Sequence, residues 1–133
     1  MVGYRGWPYE DVGWFSARVD TVLNYIPARL SSIIISMASG LMGLNWRESI
    51  VVAFHEHHNV GSVNSGWPMA SFAGALGVML EKIGAYRINN NAPGPDIIKL
   101  RLAIKLFDVS VIIALVITSV LLILRVLFIP LFI

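Results

Sequence analysis

Between Glu10 and Ile26 the apolar residues Val12, Phe15, Val19, Val22 and Ile26 recur at alternating spacings of three and four, the period of one helix face. Asp20, Thr21 and Asn24 fall on another face. Pro27 interrupts that pattern, and the fifteen uncharged residues Leu30 to Leu44 follow. At 1.5 Å per residue this segment reaches roughly 22 Å, short of the roughly 30 Å of a hydrocarbon core. It either crosses by extension back to Ile26 with Arg29 snorkelling, or forms a re-entrant or protein-buried helix. The polar stretch Asn45 to Asn64 reads as a short helix over Trp46 to Phe54 and then loop. Trp67 to Leu80 is again uncharged, with Ala70, Ala73, Gly74 and Gly77 at helical spacing. That stripe permits close approach of a neighbouring backbone, as expected of a packing helix.

Gly84 to Pro95 has loop composition, with Asn89, Asn90 and Asn91 in a row. Asp96 is placed to cap an amphipathic helix running to Phe107, on which Arg101, Lys105 and Asp108 fall at i, i+4 and i+7. This helix is expected at the membrane interface. Val109 to Ile133 carries a single charge, Arg125, and its first sixteen residues carry none, which predicts a transmembrane helix. Lys99, Arg101 and Lys105 precede that span, so the positive-inside rule places the amphipathic helix on the cytoplasmic side of the cell membrane. The expected fold class is an all-α integral membrane protein, residues 1–133 forming a single membrane-embedded region. Its parts are one transmembrane helix at the C-terminal end, one or two short embedded or packing helices, and one interfacial helix.

Composition agrees with lipid as the main solvent. Hydrophobic residues make up 56% of the chain and charged residues 14%, with a mean hydropathy of +0.72, too apolar for an ordinary soluble domain. The formal net charge of +2 is small and dispersed, which gives no footprint for nucleic acid. The absence of cysteine excludes disulfides, thiolate metal sites and cysteine nucleophiles. The first fourteen residues carry acids and aromatics where a signal peptide needs a basic start and an apolar run.

Three groups of residues bear chemistry. Asp20, Asn24 and Arg29 put a carboxylate and an amide one turn apart on a helix, followed by a guanidinium after a proline. A carboxylate holds Mg²⁺ through water, and arginine grips phosphate or carboxylate with two parallel bonds. On spacing alone the plain alternative, an exposed helix end with Arg29 at the interface, is favoured. His55, His57 and His58 invite a metal reading, but their spacing defines no tetrahedral set, and a solvated loop with one histidine available for acid or base work is the better account. Asn64, Gly66, Trp67 and Pro68 form the turn into the small-residue helix. Gly66 allows close approach, Pro68 suits the first helical position, and the free N–H groups offer an anion site; a helix cap with Trp67 as an interfacial aromatic explains them equally well.

Taken together, Met1 to Tyr4 (MVGY), Phe15 to Leu30 (FSARVDTVLNYIPARL), Asn64 to Val78 (NSGWPMASFAGALGV), Tyr86 and Pro95-Asp96-Ile97 resemble the adenosylcobinamide-phosphate synthase family of cobalamin (vitamin B12) biosynthesis. The resemblance covers nearly all of this chain and about the C-terminal half of the family's usual length. It implies a carbon–nitrogen ligase that uses ATP and Mg²⁺ to attach aminopropanol, or its O-phosphate, to a propionate carboxylate of adenosylcobyric acid. It also implies a separately encoded N-terminal half as partner, and polar site loops on the cytoplasmic side. Under it, Asp20 helps hold Mg²⁺, Arg29 binds phosphate or the activated carboxylate, and Asn24 completes the first motif. Asn64 with Gly66 and Pro68 forms a substrate cradle. Where the family has Pro-Ser-Pro before the asparagine, this chain has Gly61-Ser62-Val63, so a stiff loop is expected to be flexible here. The competing expectation is a non-catalytic membrane packing protein or an inactive truncated copy.

Overall fold

A computed structural model describes residues 10–128, with side chains from residue 13 onward. The MVGY stretch, the side chains of Glu10, Asp11 and Val12, and the last five residues of the expected span lie outside the described residues. The elements are α1 (Glu10–Leu23), α2 (Tyr25–Leu41), α3 (Trp46–Glu56), a 3₁₀ turn (His57–Asn59), α4 (Gly66–Leu76), β1 (Leu80–Lys82), β2 (Tyr86–Ile88) and α5 (Ile97–Phe128).

The break between the first two helices comes at Asn24 rather than at Pro27. Pro27 sits in the first turn of α2, where its missing N–H has no intrahelical partner to lose. The backbone bonds Asn24 N–H to Asp20 O and Ala28 N–H to Asn24 O, both 3.0 Å, carry the chain across the joint. The second apolar segment therefore begins earlier than expected and ends earlier too, at Leu41. One of its faces, Ser32, Ile35, Ser36, Ala38 and Ser39, is buried in protein. Asn45 caps α3 by accepting the Glu48 N–H, and the chain returns along α2.

Close backbone contact holds α3 on α4. A Cβ on Gly74 would overlap the Glu48 carbonyl oxygen, and one on Gly66 would overlap that of His57. Between the helices runs a ladder of buried hydroxyls. Ser49 Oγ donates to Ser71 O, the one proton of Ser36 Oγ is shared between Ser32 O and Ser49 Oγ, and the Ser32 and Ser71 hydroxyls pair directly. Each hydroxyl is satisfied inside the bundle, so small polar side chains pack here without an unpaired group.

The packing helix α4 ends at Leu76, four residues before its expected limit. Gly77 takes the left-handed conformation (φ +60°) that closes the helix, with Val78 N–H returning to Ala73 O. Beyond it the all-α expectation fails, because residues 80–88 form an antiparallel hairpin with Leu80 opposite Ile88 and Lys82 opposite Tyr86. Glu81 and Arg87 pair across it at 2.7 Å. Asn89, expected to be mere loop, joins three elements. Its N–H donates to the Glu56 carboxylate, and its side chain donates to Ala73 O and Val78 O.

Asp96 caps α5 as expected, accepting the Lys99 N–H at 2.7 Å. The amphipathic segment and the expected span are not two elements, since α5 runs unbroken through both for 32 residues. Leu102, Ala103, Leu106, Val109 and Ile113 pack with Ile35, Ala38 and Leu76, while Arg101, Lys105 and Asp108 remain exposed. Among the described residues α5 is the one helix long and apolar enough to cross a membrane.

Candidate functional site

The α1–α2 joint and the turn entering α4 are forty residues apart in sequence and meet in space. Asn64 Nδ2 donates to Thr21 O at 2.9 Å, tying the turn to the last part of α1. Arg29 reaches the same place from α2. Its Nη1 donates to Tyr25 O at 2.7 Å, and its guanidinium carbon lies 3.3 Å from the centroid of the Tyr25 ring and 4.9 Å from that of Trp67. The cation is thus held by two aromatic faces, a contact that orients its planar fork.

Trp67 is the hub of this arrangement. His57 stacks on it at 4.1 Å between centroids with 25° between planes, and Phe54 meets it edge-on at 5.3 Å. Two polar atoms here are buried with no hydrogen-bond partner among the described residues, Asn64 Oδ1 and Trp67 Nε1. Buried polar groups are normally paired, so such orphans mark a place where a ligand or ordered water completes the bonding.

Asp20 and Asn24 lie on the exposed side of the joint, where Asn24 Nδ2 donates to Asp20 Oδ1 at 2.9 Å and to Asp20 O at 3.0 Å. Among the described residues no three His, Cys, Asp or Glu side chains gather to hold a metal ion.

The turn at residues 64–68 is built for packing as much as for binding. The first helical position is Gly66, not Pro68, and Pro68 stands third. The Trp67 N–H bonds to Asn64 O at 3.3 Å and Pro68 has none, which leaves fewer free donors than an anion cradle requires. Gly66 is required by the His57 carbonyl that its missing Cβ makes room for.

The histidines separate into different roles. His55 and His58 are exposed, whereas His57 is half-buried against Trp67. Its Nδ1 donates to Ala53 O at 2.9 Å, which leaves Nε2 as the lone-pair acceptor of the neutral ring. Sequence spacing marked the cluster but not this member; the one available signal was its place at the end of α3, nine residues before Gly66.

Against family models, residues 1–116 match the CobD/Cbib protein family. The chain belongs to that family. It is 43% identical over 112 residues to the probable cobalamin biosynthesis protein CobD of Methanothermobacter thermautotrophicus, covering 84% of this chain and 38% of that protein. It is 47% identical over 91 residues to the cobalamin biosynthesis protein CobD of Dehalococcoides mccartyi, covering 68% and 29%. With the probable cobalamin biosynthesis protein CobD of Methanothrix thermoacetophila it shares 38% identity over 125 residues, covering 93% and 38%. The matched region therefore spans 29–38% of the length of these CobD relatives. No solved structure is significantly similar to it.

Proposed function

We propose that this chain acts in cobalamin biosynthesis as the C-terminal portion of an adenosylcobinamide-phosphate synthase, an ATP-dependent ligase joining aminopropanol or its O-phosphate to the propionate carboxylate of adenosylcobyric acid. The observation that carries this reading is the meeting of the two family motifs. Asn64 bonds to the α1 backbone at Thr21, Arg29 lies against Trp67, and two orphaned polar atoms remain between them.

An amine and a carboxylate at neutral pH are both in unreactive ionic forms. Amide formation therefore needs an activated carboxylate and a deprotonated amine held in reacting geometry. Arg29, fixed by two rings, is assigned to the phosphate or activated carboxylate. Asp20 would hold a water-coordinated Mg²⁺, and the unpaired Asn64 Oδ1 is assigned to a donor on the substrate. His57 Nε2 is the nearby group with a lone pair to take the ammonium proton. Gly66 and Pro68 serve by shaping the turn that carries Asn64. When bound, Mg²⁺ and ATP would supply charge neutralisation and the phosphoryl group that activates the carboxylate.

In this proposal α5 is the transmembrane helix, and the basic residues Lys99, Arg101 and Lys105 hold the site on the cytoplasmic face of the cell membrane. In this reading the partner that completes the enzyme is a separately encoded N-terminal half. The test is complementation. A strain lacking the synthase should regain corrinoid-dependent growth with this chain and an N-terminal half supplied together. Failure with both halves expressed and membrane-inserted would leave a packing or interaction protein. Within an active pair, Asp20→Asn should lower amidation by about 10²-fold, the loss typical of a misplaced reacting group, and alter its Mg²⁺ dependence. Full activity with unchanged Mg²⁺ dependence removes Asp20 from the mechanism.

A further inference from the structure

In the ligase reading Arg29 takes an anion and His57 a proton, and both are held by the faces of two rings, Tyr25 and Trp67, that take no part in the reaction. Tyr25 is the first residue of α2, and Arg29 follows it by four. Side chains on a helix lean toward its N-terminus, so a residue at i+4 lies over the one at i. Arg29 uses that spacing twice. Its Nη1 donates to Tyr25 O at 2.7 Å, and its guanidinium carbon stands 3.3 Å from the centroid of the Tyr25 ring. One nitrogen and one face of the planar fork are thereby fixed, which sets the direction of its other N–H groups.

Trp67 acts on two groups at once. The Arg29 carbon lies 4.9 Å from its centroid, and the His57 ring stacks on it at 4.1 Å with 25° between planes. The indole comes from α4, the cation from α2 and the imidazole from the 3₁₀ turn after α3, so one ring sets the separation of the other two groups. The indole is itself fixed. It is only 9% exposed, Phe54 meets it edge-on, and Gly66 before it abuts the His57 carbonyl. Aromatic faces suit this task better than a carboxylate would. They orient a guanidinium while leaving its charge and its free N–H groups available to a ligand, and among the described residues no carboxylate pairs with Arg29. We infer that Tyr25 and Trp67 are positioning residues: Tyr25 aims the Arg29 fork at the anionic group of the substrate, and Trp67 holds that fork at a set distance from His57 Nε2. The inference rests on the ligase reading of this site for its enzymatic test but not for its spectroscopic one.

The enzymatic test is a pair of double-mutant cycles in the complete ligase, with KM and kcat measured for each substrate. Tyr25 is 48% exposed, so Tyr25→Leu should leave the unfolding midpoint unchanged. It should raise about tenfold the KM of whichever substrate Arg29→Gln weakens, the loss of one partly desolvated cation–π contact, with kcat unchanged. Tyr25→Phe keeps the ring face and should restore that KM. In the Arg29→Gln background Tyr25→Leu should cost nothing further, because it acts through the guanidinium alone. Trp67 Nε1 has no partner among the described residues, so Trp67→Phe forfeits no hydrogen bond. Its smaller face should lower kcat, and that loss should vanish in the His57→Gln background. An unchanged KM in Tyr25→Leu, a Tyr25→Phe variant as impaired as Tyr25→Leu, or losses that persist in full in the Arg29→Gln and His57→Gln backgrounds would overturn the inference, the last because they would report folding alone. A wild-type pair that forms no amide refutes the ligase reading instead, and positioning is then read by nuclear magnetic resonance on the full chain in detergent. The Arg29 Nε proton should resonate upfield of free arginine, shifted by the ring current of Tyr25, and should return toward the free value in Tyr25→Leu. The same resonance in both proteins would overturn the inference whatever the activity.

Discussion

The bundle helix α4 and the second half of α5 are similarly apolar in sequence but are stabilised in different ways. In the bundle, Ala38, Ala53, Ala70 and Ala73 are almost fully buried, and Gly66 and Gly74 let backbone touch backbone. From Val111 onward α5 leaves Leu115, Val116, Leu121, Leu122 and Ile123 exposed, and the 18-residue apolar stretch that qualifies it to span has none of its residues buried. Close contact of small side chains gains dispersion energy only between fixed protein surfaces, so such residues imply a specific neighbour. Large branched side chains on every face of one helix imply a solvent that accepts them from all sides. The contrast separates a region that positions side chains from a helix long and apolar enough to cross a membrane.

Substitutions can break or sharpen that contrast. The largest effect is expected from Gly66→Ala, which places a carbon against the His57 carbonyl and must displace α4 from the end of α3. A loss of about 3 kcal/mol or more is expected, at the upper end for overpacking, read as a lowered midpoint of unfolding in detergent. Val120→Arg should instead leave that midpoint unchanged and reduce membrane insertion by about 2.5–3.5 kcal/mol, measured by flotation or glycosylation mapping. If Val120→Arg unfolds the bundle, or Gly66→Ala abolishes insertion while the bundle stays folded, the two regions do not divide as described. The smallest effect is expected from Ser49→Ala. It removes the hydroxyl that bonds to Ser71 O and pairs with Ser36, at about 1–2 kcal/mol in the same unfolding assay.

The sharpest lesson about the site comes from Arg29 and Gly66. Spacing identified both, and family motifs assigned both to substrate. Arg29 stands between two aromatic rings, with N–H donors that have no acceptor among the described residues. Gly66 has a sufficient reason in packing alone. A motif reports that a residue type is required without saying whether the requirement is chemical or steric. His57 shows the converse. Three adjacent histidines looked alike in the chain, and only the stacking on Trp67 distinguishes one of them.

By itself the sequence determined the local elements. Residue period gave the helices, uncharged length gave a C-terminal helix long and apolar enough to cross a membrane, and Asp96 gave a cap that α5 uses. These follow from interactions within a few residues or from transfer between two solvents, both of which are written along the chain. Tertiary structure alone decided that Thr21 meets Asn64, that Arg29 meets Trp67, and that Asn89 links Glu56 to the end of α4. It also turned residues 80–88 into a hairpin, where Ile88 is fully buried against Val60 and Ala73. Each of these depends on contacts between segments far apart in the chain, whose geometry is set by how closely the helices approach and not by the pattern of any one of them.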